Sequence, residues 1–152
     1  HYTLSSKLLI ELFEHVGFDL SKKAQEKVIP DRLLEMSREN IISMLRGIFD
    51  GDGTASKNRV SVTSSSLELI KQIRAILINF GIMSSYFIHY KDKMNSYDSV
   101  KNKFNYDTHI LEIYGRAAGL YFEKVGFNLA RKQEKYNLFL RVLRFPTNCM
   151  RQ

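Results

Sequence analysis

Asp50 and Asp52 stand two positions apart at the end of an apolar run, set among Gly47, Gly51 and Gly53. Carboxylates in that place suit metal chemistry. The C-terminal end of a helix carries partial negative charge, so an acid there costs about 0.3–1 kcal/mol unless a cation offsets it. A helix with no other task ends in Lys, Arg or Asn, and a divalent ion is the obvious compensating charge. A calcium loop of the EF-hand type does not fit. Counted from Asp50 it needs Gly at its sixth position and Glu at its twelfth, where Ala55 and Ser61 stand. Other chemistries find little support. The four histidines (His1, His15, His89, His109) are scattered without ligand spacing, and Cys149 is the only cysteine. That excludes an internal disulfide and a cysteine-based zinc cage. No phosphate-binding glycine loop or nucleophile elbow is present.

The element that must carry these acids is legible. Ile41, Ile42, Met44, Leu45, Ile48 and Phe49 fall at i, i+1, i+3, i+4, i+7 and i+8, a stripe too broad for a solvated helix. Ser37 is a suitable N-cap, with Glu39 in the favourable first turn. Gly47 and Gly51 lie four apart on one face, where missing side chains admit another backbone. The expectation is a largely buried helix that packs on a partner helix and presents Asp52 at its exposed end.

Leu45-Arg46-Gly47-Ile48-Phe49-Asp50-Gly51-Asp52-Gly53 resembles the defining motif of the LAGLIDADG homing endonucleases almost position for position. Arg46 is the one change of residue class, standing where the motif's name has Ala, and Arg is familiar there in the intein-associated branch. Lys27-Val28-Ile29-Pro30, Ser61-Val62-Thr63-Ser64-Ser65-Ser66 and Phe80-Gly81-Ile82 are also similar to that branch, and the resemblance runs roughly from 5 to 141. It implies motif helices of two repeats packed side by side, here through Leu45, Gly47, Ile48 and Gly51. Each helix then delivers one acid to Mg²⁺ or Mn²⁺. The motif's second acid has that role, so the resemblance gives Asp52, with Gly51 beside it, as the metal-holding position, and leaves Asp50 to shape the helix end. The family also places a basic residue near the metals before its last helix. Lys132 matches that position, with Lys23 as its repeat counterpart, and the resemblance implies a catalytic role for both.

An internal repeat accompanies the motif. Phe13-Glu14-His15-Val16-Gly17-Phe18-Asp19-Leu20-Ser21-Lys22-Lys23 recurs 109 residues later as Phe122-Glu123-Lys124-Val125-Gly126-Phe127-Asn128-Leu129-Ala130-Arg131-Lys132. After a one-residue slip, Gln25-Glu26-Lys27 matches Gln133-Glu134-Lys135. A duplicated unit of that length is a whole structural module. The expected organisation is a helical tail of a preceding repeat and linker over 1–36, a complete unit over 37–145, and a tail over 146–152.

Within the complete unit the pattern predicts an αββαββα order, an α+β fold with helices on one side of an antiparallel sheet. A hairpin of 54–56 with 59–63 follows the motif helix. A Ser65–Glu68 capping box starts the helix 67–80, whose core positions are Leu69, Ile70, Ile73, Ile76 and Leu77, and Gly81 ends it. Strands are expected over 84–91 and 106–114, and helices over 116–125 and 130–143.

The sheet's open face is the expected DNA-reading surface, because an antiparallel ribbon fits the major groove. Lys57, Arg59, Ser61 and Thr63 supply contacts from the hairpin. In the third strand, either Ser84, Tyr86 and Tyr90 or Ser85, His89 and Lys91 face outward, and alternation does not choose between them; Tyr86 and Tyr90 are carried forward as contacts. Lys91, Lys93, Lys101 and Lys103 read as phosphate contacts. The formal charge of +7 over 152 residues, with a pI near 9.5, favours a polyanionic partner.

No run of 18 apolar residues and no cleavable signal is visible, so an intracellular, reducing compartment (cytoplasm, or an organelle or nucleus with the target DNA) is expected. Charge and resemblance together imply a site-specific DNA endonuclease from an intein or mobile intron, hydrolysing phosphodiesters with a divalent metal. The alternative is an inactive DNA- or RNA-binding relative, a maturase or regulator. The expected partners are duplex DNA and a second LAGLIDADG repeat, from an upstream segment or a homodimer partner; no membrane partner is expected.

Overall fold

A computed structural model describes residues 6–90 and 106–144, with side chains as far as 137. The chain begins with α1 (Lys7–Val16), capped by the Ser6 hydroxyl and closed by Gly17 at φ +106. A short linker carrying α2 (Asp31–Leu34) leads to the motif helix. That linker is strapped down: Gln72 donates to the Ile29 carbonyl at 3.0 Å and accepts the Ile29 amide at 2.7 Å.

The αββαββα order holds, with one further helix after it. The motif helix α3 (Arg38–Gly51) starts at Ser37, whose hydroxyl accepts the Asn40 amide, and ends with Asp52 as its cap. Strands β1 (Gly53–Ala55) and β2 (Arg59–Ser64), helix α4 (Leu67–Asn79), strands β3 (Ser85–His89) and β4 (Thr108–Tyr114), and helices α5 (Gly115–Lys124) and α6 (Ala130–Arg144) follow. The sheet runs β1-β2-β4-β3, antiparallel throughout. Helix α4 starts one residue later than the expected capping box: the Ser66 hydroxyl, not that of Ser65, accepts the Leu69 amide at 3.1 Å while donating to the Lys27 carbonyl. Its end is as expected, with Gly81 at φ +73 and the Ile82 amide bonded back to the Leu77 carbonyl at 2.8 Å.

Strand alternation sorts the residues. Val60, Val62, Leu111 and Ile113 point into a core closed by α4 and α5, which pack on β2 and β4, while α3 and α6 meet β1. Leu45, Phe49, Ile70, Ile73, Leu77 and Tyr121 fill that core. The opposite face carries no helix among the described residues.

Register also decides what periodicity left open. Tyr86 pairs with Leu111 and Ile88 with His109, which places Tyr86 on the helix side, its hydroxyl 2.8 Å from His109 Nδ1. Tyr86 is therefore removed from the expected DNA contacts. Ser85, Phe87 and His89 pair with Glu112, Ile110 and Thr108 and face outward. Tyr90 follows the end of β3 and is exposed. Lys91, Lys93, Lys101 and Lys103 lie outside the described residues.

Candidate active site

The end of α3 is built by two opposed contacts between the motif turn and the start of α6. Asp50 turns its carboxylate onto that start, accepting the amides of Asn128 at 3.0 Å and Leu129 at 3.3 Å. These amides lie at the N-cap of α6 and just before it, and the positive end of that helix suits the charge. Lys132, one turn into α6, reaches the other way. Its ammonium donates to the carbonyls of Phe49 (2.8 Å), Asp50 (2.7 Å) and Gly53 (2.5 Å). A helix C-terminus leaves carbonyls unpaired, and a cation there is favourable.

Three donors on three acceptors use every proton the ammonium has. Burial pushes the Lys132 pKa down, and the charge of Arg131 adds to this, against the opposing pull of Asp50 and Asp52. The compensating cation that the sequence demanded at this helix end is thus supplied within the chain. This changes the expected role of Lys132: no N–H remains to meet a phosphate, and the side chain is buried.

Asp52 is left facing outward. Its backbone amide closes the helix on the Ile48 carbonyl at 2.9 Å, and its exposed carboxylate makes no hydrogen bond or ion pair among the described residues. The Gly51 carbonyl is not among the acceptors Lys132 takes. No cluster of three or more His, Cys, Asp or Glu able to hold a metal occurs among the described residues. An Mg²⁺ site needs only one or two carboxylates when substrate phosphates and water complete it. Asp52 with the Gly51 carbonyl therefore fits as part of such a site and falls short of a whole one.

The glycines of the motif divide by what surrounds them. A Cβ on Gly53 would run into the Phe49 backbone, so the turn into β1 requires glycine. A Cβ on Gly47 or Gly51 would meet nothing within 4 Å. Those two line the exposed face of α3 together with Ser43, and Ile48 borders it, half-buried. Leu45 is fully enclosed in the unit's own core, which corrects its assignment to the helix–helix interface.

The expected hairpin contacts lie on or beside the open face. Lys57 and Thr63 are exposed, Arg59 pairs with Glu112 at 3.0 Å, and Ser61 is only 8% exposed at the sheet's centre. Lys23 stands exposed at the start of a single 3-10 turn, its ammonium without a bond among the described residues. Sequence reasoning missed Phe87 and Tyr114 on the open face, whose exposure follows only from register. It also missed Arg46, whose Nε donates to the Val125 carbonyl at 2.9 Å and so ties α3 to the end of α5.

A family model described as a LAGLIDADG-like domain matches residues 23–126. The chain belongs to the LAGLIDADG family. Among curated relatives it is 29% identical over 140 residues to a glutamine–fructose-6-phosphate aminotransferase [isomerizing] of Methanocaldococcus jannaschii, covering 90% of this chain and 12% of that one. It is 30% identical over 132 residues to a probable translation initiation factor IF-2 of the same organism, covering 86% of this chain and 10% of that one. A DNA polymerase of Thermococcus hydrothermalis is 31% identical over 113 residues, 72% of this chain and 6% of its own length. The LAGLIDADG chain thus spans about a tenth of the length of the first relatives it matches. No helix among the described residues is long and apolar enough to cross a membrane.

Proposed function

We propose that this LAGLIDADG unit is one half of a site-specific DNA endonuclease, of the intein-associated kind, that hydrolyses phosphodiester bonds with a divalent metal. The observation that carries the reading is the division of labour between the two acids: Asp50 is consumed by the start of α6, while Asp52 is held at a rigid helix end with its carboxylate facing out. A helix end clamped on both sides positions a ligand more finely than a loop could. When bound, Mg²⁺ or Mn²⁺ supplies Lewis acidity toward the phosphodiester and the attacking water. Asp52 and the Gly51 carbonyl hold it, the open sheet face binds the duplex, and Lys132 keeps the acid in place. The mobile-element reading is supported by the relatives: an aminotransferase, an initiation factor and a DNA polymerase have little reason to share a segment of this kind unless it moves between host genes.

The second half is another LAGLIDADG unit meeting the exposed face of α3. Support comes from comparing the two copies of the repeat. In the complete copy Tyr121 and Phe122 are 0% and 4% exposed, with Tyr121 packed on Phe49 of the motif helix at 4.8 Å. Their counterparts Leu12 and Phe13 are 55% and 41% exposed, and α1 buries none of its residues. Lys23, counterpart of the capping Lys132, has no carbonyls to cap among the described residues. A motif helix of another unit gives all three their partners. A homodimer serves this less well, since each copy's own α5 and α6 already close its motif helix.

The decisive experiment is a cleavage selection against a randomised duplex library with Mg²⁺, sequencing the cut ends, run beside the Asp52→Asn variant. Cuts at a defined site that vanish in the variant support the enzyme. Site-specific binding without cuts from the two-unit assembly would replace this reading with the inactive binder.

A further inference from the structure

If the Lys132 ammonium is committed to three carbonyls, another group beside Asp52 has to meet the phosphate backbone. A cleft of about 330 Å³ lies against the motif turn, lined by Gly51, Gly53, Thr54, Ala55, Arg131, Lys132 and Lys135. Its two glycines present backbone with no side chain to keep a ligand out. Arg131 and Lys135 are four apart on α6 and so share a face, one on each side of the buried Lys132 in sequence. Neither makes an ion pair or hydrogen bond among the described residues, although Glu134 lies between them on the same helix. Thr54 pairs with Ser61 and therefore belongs to the open sheet face as well as to the cleft.

We infer that Arg131 and Lys135 form a phosphate clamp, gripping the backbone of the strand presented to Asp52, and that they do the work the motif pattern attributes to Lys132. Arg131 offers a planar fork for two phosphate oxygens, and Lys135 a flexible point charge. The internal repeat carries cations at the same two positions: Lys22 matches Arg131 and Lys27 matches Lys135, and both line a second hollow beside Met44 and Ile48. An assembly of two units then has one such pair for each strand of a duplex. This inference rests on the DNA-binding reading of the site.

The test is equilibrium binding of the chain to duplex DNA in EDTA across a salt series, so that cleavage plays no part. Each phosphate neutralised contributes about −0.9 to the slope of log K against log salt. Arg131→Gln with Lys135→Gln is expected to make the slope shallower by about 1.8 and to leave the thermal midpoint unchanged, since neither side chain is bonded among the described residues. Lys71→Gln with Arg74→Gln, on exposed positions of α4 that do not line the cleft, removes the same charge and is expected to leave the slope as it was. An unchanged slope in the first pair overturns the clamp while leaving the nuclease reading intact, and so does an equal loss in both pairs. A flat salt response of the unaltered chain removes the DNA-binding reading itself, and the clamp with it.

Discussion

Gly47→Ala separates what this fold needs from what its assembly needs. Gly47 sits in the interior of α3 on the exposed face, and an added methyl there meets no atom within 4 Å. Its φ is not positive, so the backbone does not ask for glycine either. Alanine is favoured over glycine in a helix interior by about 0.8–1.0 kcal/mol. Taken alone, the chain should therefore gain close to 1 kcal/mol, or about 2–4 °C in thermal midpoint for a protein of this size. The same methyl stands where a partner helix must approach, so the two-unit assembly should weaken and cleavage should fall with it.

Two measurements on one variant check this: thermal unfolding by circular dichroism on the chain, and single-turnover cleavage with sedimentation on the assembly. A rise in stability with a loss of assembly is the expected pair of results. If the chain loses stability, the glycine serves the unit's own packing; if stability rises and the assembly is untouched, the exposed face of α3 is not the interface. Gly53→Ala provides the contrast, because its Cβ would collide with the Phe49 backbone and must destabilise.

Asp52→Asn is expected to abolish cleavage while DNA affinity holds or rises slightly, since one negative charge near phosphate is lost; equal cleavage at saturating Mg²⁺ would remove Asp52 from the site. Lys132→Met leaves three carbonyls without their donor, two of those contacts buried, and should cost about 2–4 kcal/mol in urea unfolding. A variant of unchanged stability that cuts a hundredfold slower would instead return Lys132 to direct catalysis. Tyr121→Phe deletes a buried hydroxyl that has no hydrogen-bond partner among the described residues, in a ring packed on Phe49. Stability should stay level or rise by about 1 kcal/mol, and a loss of that size would mean the hydroxyl is bonded.

The parts of the fold legible in sequence are those set by local rules. Ser37, Gly81 and the apolar stripe of α3 act through hydrogen bonds and burial within a few residues, so spacing alone located them. The outward face of β3 was not legible, because Ser85-Tyr86-Phe87-Ile88-His89 offers apolar or aromatic residues to both sides. Only pairing with β4, whose His109, Leu111 and Ile113 are enclosed, assigns Tyr86 inward and Phe87 outward. Leu45 misled for a related reason: the stripe is broad enough to serve both a core and a partner, and spacing cannot tell which side of it each residue takes. The contacts of Lys132 span about 80 residues of sequence, so no local pattern could reveal that its donors are committed.

The opposed contacts of Asp50 and Lys132 also explain why the motif turn holds two acids when one position faces outward. An exposed carboxylate at a helix C-terminus raises the negative charge at a point that is already unfavourable. Two such acids side by side would be worse, and a lysine free to move would pair with the nearer one and neutralise it. The fold avoids both outcomes by geometry. The Asp50 carboxylate is turned onto the amides that open α6, and the Lys132 ammonium is turned onto carbonyls instead of carboxylates. The cation thereby offsets the helix end without forming a salt bridge to Asp52, whose carboxylate stays available to an external cation. Replacing Asp50 by Asn tests this directly. It removes the charge and keeps an acceptor for only one of the two amides, which Asp50 meets through separate oxygens, so the unit should fold with a loss of about 1–3 kcal/mol. Asp50→Ala frees the start of α6 as well. It should cost more stability and, in the assembled enzyme, lower cleavage by loosening the turn that carries Asp52. Equal cleavage by Asp50→Ala and the unaltered protein would mean that the position of Asp52 does not depend on the clamp.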